Sequence, residues 1–80
     1  MSTDKKITVY SQPNCVACNA TYRALTKKGI PYEVVDLSLS ENSEQMARIK
    51  SLGYREAPVV FYGEEHWSGY NPEKINTIAV

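Results

Sequence analysis

The chain holds two cysteines, Cys15 and Cys18, with only Val16 and Ala17 between them and Pro13-Asn14 just ahead. Two thiols at that spacing can do three kinds of chemistry. They can ligate a metal. Zinc takes four ligands, and among the other nitrogen and sulfur donors only His66 is available, so it would have to fold back onto the cysteines, with water completing the site. They can close a structural disulfide. So short a loop constrains the unfolded chain little, and the stabilisation falls below the ~3 kcal/mol of longer loops. Or they can form a dithiol that cycles, and the spacing suits this third reading best. A cysteine at a helix N-terminus sits among unpaired N–H groups and the positive end of the helix dipole. In C-x-x-C motifs these bring the thiol pKa down to roughly 3.5–7.5. Cys15 then attacks as the nucleophile. Cys18, one turn further along the same face and more buried, resolves the mixed disulfide. Val16 and Ala17 bring no charge, so they tune the couple through packing and exposure alone.

The elements that must aim this pair can be read from hydrophobic periodicity. KKITVYS (5–11) alternates, with Ile7 and Val9 on one face and Thr8 and Tyr10 on the other, and predicts a strand ended by Pro13 and Asn14. From Cys15 to Lys28 the pattern is helical, with Cys18, Thr21, Tyr22 and Leu25 on one stripe. Lys27 and Lys28 suit the negative end of the dipole, and Gly29 is a stop. YEVVDL (32–37) predicts a second strand. A second helix carries Met46, Ala47, Ile49 and Leu52 inward and closes at Gly53. Ser38, Ser40 and Asn42 are each candidate caps for it. PVVFY (58–62) and EHW (65–67) predict a hairpin turning at Gly63-Glu64. Asn71-Pro72 reads as an N-cap with proline at the first helical position, followed by an inward stripe of Ile75, Ile78 and Ala79. The order is β-α-β-α-β-β-α. It implies a right-handed crossover between two parallel strands, a late antiparallel hairpin, and a mixed four-stranded sheet flanked by helices.

Eighty residues suit a single domain spanning 1–80. Nine basic and nine acidic residues cancel, which leaves no excess charge to neutralise a nucleic-acid backbone. No apolar run approaches the ~20 residues that cross a bilayer, so no membrane association is expected. MSTDKK leads straight into a strand without a signal-peptide pattern. The expected compartment is therefore the cytoplasm, where permanent disulfides are rare. C-x-x-C beside a β-α-β unit in such a protein is the pattern of a thioredoxin-like redox motif.

The stretches PNCVACNATYRALTKKGIPYEVVDLS (13–38), LGYREAPVV (52–60) and HWSGYNPEKI (66–75) resemble, in order, those of the NrdH-redoxin family of the thioredoxin superfamily. The likeness runs over nearly the whole chain. It implies a thioredoxin fold in which Cys15 is the nucleophile, Cys18 the resolving cysteine, and the two form a redox-active disulfide. Ala57-Pro58 matches a bend whose proline is cis in this superfamily and lies against the redox pair. Pro13, Asn14, Val16 and Ala17, with Ala57 and Pro58, would then meet the substrate. Trp67, Ser68, Gly69 and Tyr70 match the W-S-G-F signature and would join that surface. Tyr70 keeps an aromatic ring, whereas Asn71 stands where relatives carry arginine and removes a charge.

What the resemblance implies for function is a redox carrier. Such proteins take electrons from NADPH through thioredoxin reductase, whose FAD does the flavin chemistry, and pass them to the large subunit of class Ib ribonucleotide reductase. The chain itself would bind no cofactor and would act as a monomer. Two rivals stand beside this reading. A glutathione-dependent glutaredoxin would carry Gly-Gly and then an acid near the last helix. Here W-S-G-Y-N-P has one glycine and no acid until Glu73, and Lys5 and Lys6 are the only nearby candidates for a glutathione clamp. A non-catalytic module would instead bind a metal or iron–sulfur cluster through Cys15 and Cys18 of two chains. Trp67 reads equally as a docking aromatic or a cover over the sheet edge. His66 reads as a surface residue, and most of the six tyrosines as structural.

Overall fold

The computed structural model describes residues 7–78. The chain runs β1 (Ile7–Ser11), α1 (Val16–Lys27), β2 (Glu33–Asp36), a 3-10 turn (Ser40–Asn42), α2 (Ser43–Ser51), β3 (Val59–Tyr62), β4 (Glu65–Ser68) and α3 (Pro72–Asn76). The sheet order is β2-β1-β3-β4, with β1 parallel to β2 and the other pairs antiparallel. This is the expected thioredoxin fold. Lys5, Lys6 and Ala79, which the sequence assigned to the first strand and last helix, lie outside the described residues.

Period-two alternation divides the core between the two faces of the sheet. Ile7 and Val9 of β1, Val60 and Trp67 join Leu25 of α1 and Ile75 and Ile78 beneath α1 and α3. Leu37, Ile49 and Val59 form a smaller cluster beneath α2, with Tyr10, Met46, Tyr54 and Phe61 packed against it. Leu25 is fully buried, which contributes on the order of 2 kcal/mol from removed apolar surface.

Both long helices end in the same way. Gly29 N–H donates to Thr26 and Ile30 N–H to Leu25, and the pattern repeats after α2 with Gly53 to Lys50 and Tyr54 to Ile49. This double bond to the last carbonyls requires a residue at positive φ, and Gly29 and Gly53 supply φ of 72° and 92°. The residue beyond each glycine folds back onto the residue whose carbonyl it caps, Ile30 with Leu25 and Tyr54 with Ile49.

Two expectations need correction. Neither Ala47 nor Leu52 faces inward: Ala47 is exposed and Leu52 is 43% exposed. Tyr54, beyond the helix, fills the place the stripe assigned to Leu52. No side chain caps α2 either. Asn42 instead donates through Nδ2 to the Asp36 carbonyl at 2.8 Å, tying the turn to the end of β2.

Candidate active site

The sheet register gathers three separate segments at one end. Ser11 closes β1 beside Asp36 of the parallel β2. Tyr10 pairs with Val59, so Ala57-Pro58 enters β3 at that same end. Val59 pairs with Ser68, and Gly69 N–H extends the ladder by donating to the Pro58 carbonyl at 2.7 Å. The C-x-x-C loop, the proline bend and the W-S-G-Y turn are therefore neighbours through strand pairing. The Ala57-Pro58 peptide is cis.

Cys15 is the N-cap residue of α1, extended at φ −112° and ψ 105°, and its Sγ accepts the Cys18 N–H at 3.1 Å. Asn14 precedes it at φ 58°, a left-handed conformation that asparagine tolerates better than most residues. Cys15 and Cys18 are joined in a disulfide with Cα atoms 5.2 Å apart. Their exposures differ sharply: Cys18 is 1% exposed, whereas Cys15 is only half-buried. An incoming group therefore reaches Cys15. In the dithiol state the same N–H and the open end of the helix would favour its thiolate. One turn on, Thr21 is buried and donates its hydroxyl to the Ala17 carbonyl at 2.9 Å, so a polar side chain sits beneath the loop without an unmet bond.

Around the sulfurs, Val16 is 84% exposed and Pro13 and Asn14 are exposed, while Ala17 is half-buried. Pro58 is buried and Ala57 half-buried. Tyr70 is 45% exposed, with Ser68 and Gly69 half-buried beside it. Trp67 differs. It is 6% exposed within the core beneath α1 and α3, and its ring presents almost no surface to a partner. Asn71 acts as a plain helix cap, its Oδ1 accepting Lys74 N–H at 3.1 Å. His66 stays on β4, stacked on Phe61 with its Nδ1 bonded to the Tyr54 hydroxyl, rather than turning toward the cysteines.

A groove that sequence reading did not find borders the site. Its floor is apolar, from Leu37, Ile49 and Val59, with Met46 and Tyr54 as walls. Gln12 and Ala57 connect it to the redox loop and the proline bend. Lys50, Arg55 and Glu56 stand at its rim. Lys5 and Lys6, the cations that the sequence offered for a glutathione clamp, lie outside the described residues. Lys50 and Arg55 lie far from the cysteines in sequence, and the groove they line also takes in Gln12 and Ala57, which adjoin the redox loop and the proline bend. Asp36 ends β2 at this same end of the sheet. Two hydrogen bonds from Ser38, first its hydroxyl and then its N–H, hold the carboxyl below the usual aspartate range.

A β-α-β-α-β-β-α domain with a C-x-x-C pair at the first helix cap defines a thiol–disulfide redox protein. The glutaredoxin family model matches residues 7–67. The glutaredoxin-like protein NrdH of Salmonella typhimurium is 39% identical over 72 residues, covering 90% of this chain and 86% of that protein. NrdH of Escherichia coli is 34% identical over 73 residues, covering 91% and 88%. The solved structure of the E. coli NrdH-redoxin, described as having a thioredoxin-like activity profile, superposes with a TM-score of 0.88 at 33% identity, covering 94% of this chain and 96% of that one. The chain belongs to the glutaredoxin family and, within it, is a glutaredoxin-like redox protein of the NrdH type.

Proposed function

We propose that this protein is a cytoplasmic dithiol carrier that takes electrons from NADPH through the flavin of thioredoxin reductase and delivers them to the large subunit of class Ib ribonucleotide reductase. The observation that carries the reading is the contrast within the pair. Cys15 is half-buried at a helix cap and accepts an N–H on its sulfur, while Cys18 is sealed behind it. The NrdH-type sequence, with a single glycine and no following acid in the Trp67–Pro72 turn, supports the choice of partners.

In the reaction the Cys15 thiolate attacks a client disulfide. A Cys15–client bond forms, and the client's other sulfur leaves as a thiolate and takes a proton. The Cys18 thiolate then attacks Cys15 Sγ, the client's second sulfur leaves and is protonated, and the Cys15–Cys18 bond holds the two oxidising equivalents. The reductase returns two electrons and the cycle repeats. Backbone groups beside Pro58 orient the client segment.

The test is coupled NADPH oxidation with the oxidised protein, run with thioredoxin reductase and, separately, with glutathione and glutathione reductase. Turnover with thioredoxin reductase alone is expected. Turnover with glutathione alone would make the protein a glutathione-dependent glutaredoxin.

A further inference from the structure

Among the described residues the buried polar side chains are those of Ser11 and Thr21, and Thr21, at 0% exposed, is the deeper. We propose that the Thr21 hydroxyl serves the resolving step: once the Cys15–Cys18 bond is open, it turns from the Ala17 carbonyl to the Cys18 sulfur and donates a hydrogen bond to the thiolate there. This inference rests on the two-cysteine mechanism and is independent of which reductase or client the carrier meets.

Need is the first argument. Cys18 is 1% exposed, and a thiolate in so dry a place needs donors from the protein, because burial disfavours its charge. Its own N–H is committed to the Cys15 sulfur at 3.1 Å. Val16 and Ala17 carry no polar side chain. The Asp36 carboxyl is occupied by Ser38, and the His66 ring by Tyr54. Reach is the second. Cys18 and Thr21 are both buried residues of α1, one turn apart, a spacing at which Cβ atoms lie about 5–6 Å from each other. Helical side chains lean toward the N-terminus, so Thr21 leans over the turn that carries Cys18. Its hydroxyl already reaches back to the Ala17 carbonyl at 2.9 Å. Threonine divides between two χ1 rotamers in a helix, so the hydroxyl can change partner while the backbone stays still. Freedom is the third. The helix also sends the Thr21 N–H to the Ala17 carbonyl, so the hydroxyl leaves no orphaned acceptor behind. Back-bonding of this kind adds nothing to a helix and slightly destabilises it. A valine would fill the same volume with no polar atom to bury. The hydroxyl is thus better explained by the sulfur than by packing.

In the step itself, the Cys18 thiol of the mixed disulfide loses its proton to the medium. Its sulfur bonds to Cys15 Sγ as the Cys15–client bond breaks. The client sulfur leaves with the electron pair of that bond and takes up a proton. The Thr21 proton stays on its own oxygen throughout.

The test mixes the prereduced protein with an aromatic disulfide, dithiobis(nitrobenzoic acid), and follows the released nitrothiobenzoate by stopped flow. Attack by Cys15 releases a first equivalent at a rate proportional to reagent concentration. Cys18 then releases a second at a rate independent of it, and C18S marks the first phase alone. T21V keeps the shape of the side chain and loses the hydroxyl. T21A and T21S both lose the methyl and differ only in the hydroxyl. Near neutral pH the second phase should slow about 3- to 10-fold in T21V and T21A, as loss of one bond to a thiolate allows after its partly compensating gain in nucleophilicity. T21S should keep the wild-type rate, and the first phase should be the same in every variant. The gap should narrow as pH rises and Cys18 ionises in all forms. Second phases that match the wild type in T21V and T21A would overturn the proposal. So would a T21S as slow as T21A, which would make the methyl the cause, or a slowing of both phases alike, which would mean a distorted loop. Release of a single equivalent by the wild type would instead overturn the two-cysteine mechanism beneath it.

Discussion

Replacing Cys15 by serine removes the only sulfur of the pair that a client can reach, so C15S should lose all turnover in the coupled assay. C18S leaves the nucleophile but nothing behind it to resolve the intermediate, and should accumulate mixed disulfides visible by non-reducing electrophoresis. Wild-type turnover by either variant would sink the two-cysteine mechanism. Asp36 offers a different residue-scale test. Its folded-state pKa lies below the unfolded value near 3.9, so its contribution is present above that value and is lost as pH falls through the folded one. The melting-temperature gap between wild type and D36N should therefore be open at neutral pH and close in acid. A gap that stayed constant would mean the carboxylate's charge is irrelevant to the Ser38 bonds.

At the scale of elements, the left-handed glycines and the Asn71 cap are the points most exposed to substitution. Nothing lies within 4 Å of a Cβ built on Gly29, so G29A tests backbone conformation alone and should cost about 1–2 kcal/mol in a denaturant titration. N71A should cost about 1 kcal/mol by releasing the Lys74 N–H. These features were legible before the structure because each is local. Proline after asparagine and glycine after a lysine pair declare a helix start and stop within a few residues. The start of α2 was not legible for a related reason: three polar residues offered themselves as caps, and the choice fell to none of them because Asn42 was taken by the Asp36 carbonyl. Leu52 misled because apolar type was read as burial, while the chain reversal at Gly53 delivered Tyr54 to the same cluster.

For the molecule as a whole, stability of ~0.05–0.15 kcal/mol per residue gives this 80-residue chain about 4–12 kcal/mol. L25A, which empties a fully buried position in the larger cluster, should cost about 2–5 kcal/mol and lower the denaturation midpoint accordingly. A cost below 1 kcal/mol would show that the α1 side of the core can collapse around the gap. The groove was invisible in the sequence because its parts come from Gln12, Leu37, α2 and residues 54–59. No local pattern links them, and only the folded sheet end does. The two cysteines were visible because they carry their geometry in their own spacing.

The sole tryptophan of the chain lies 6% exposed in the larger core cluster, its indole N–H without a hydrogen-bond partner among the described residues. That burial makes it an optical gauge of the interior. Emission from the folded protein should be blue-shifted and shielded from acrylamide quenching, and should move to the red only when the core opens. Unfolding can thus be followed in the intact, unlabelled chain, whereas titration with a partner should leave the emission wavelength where it was.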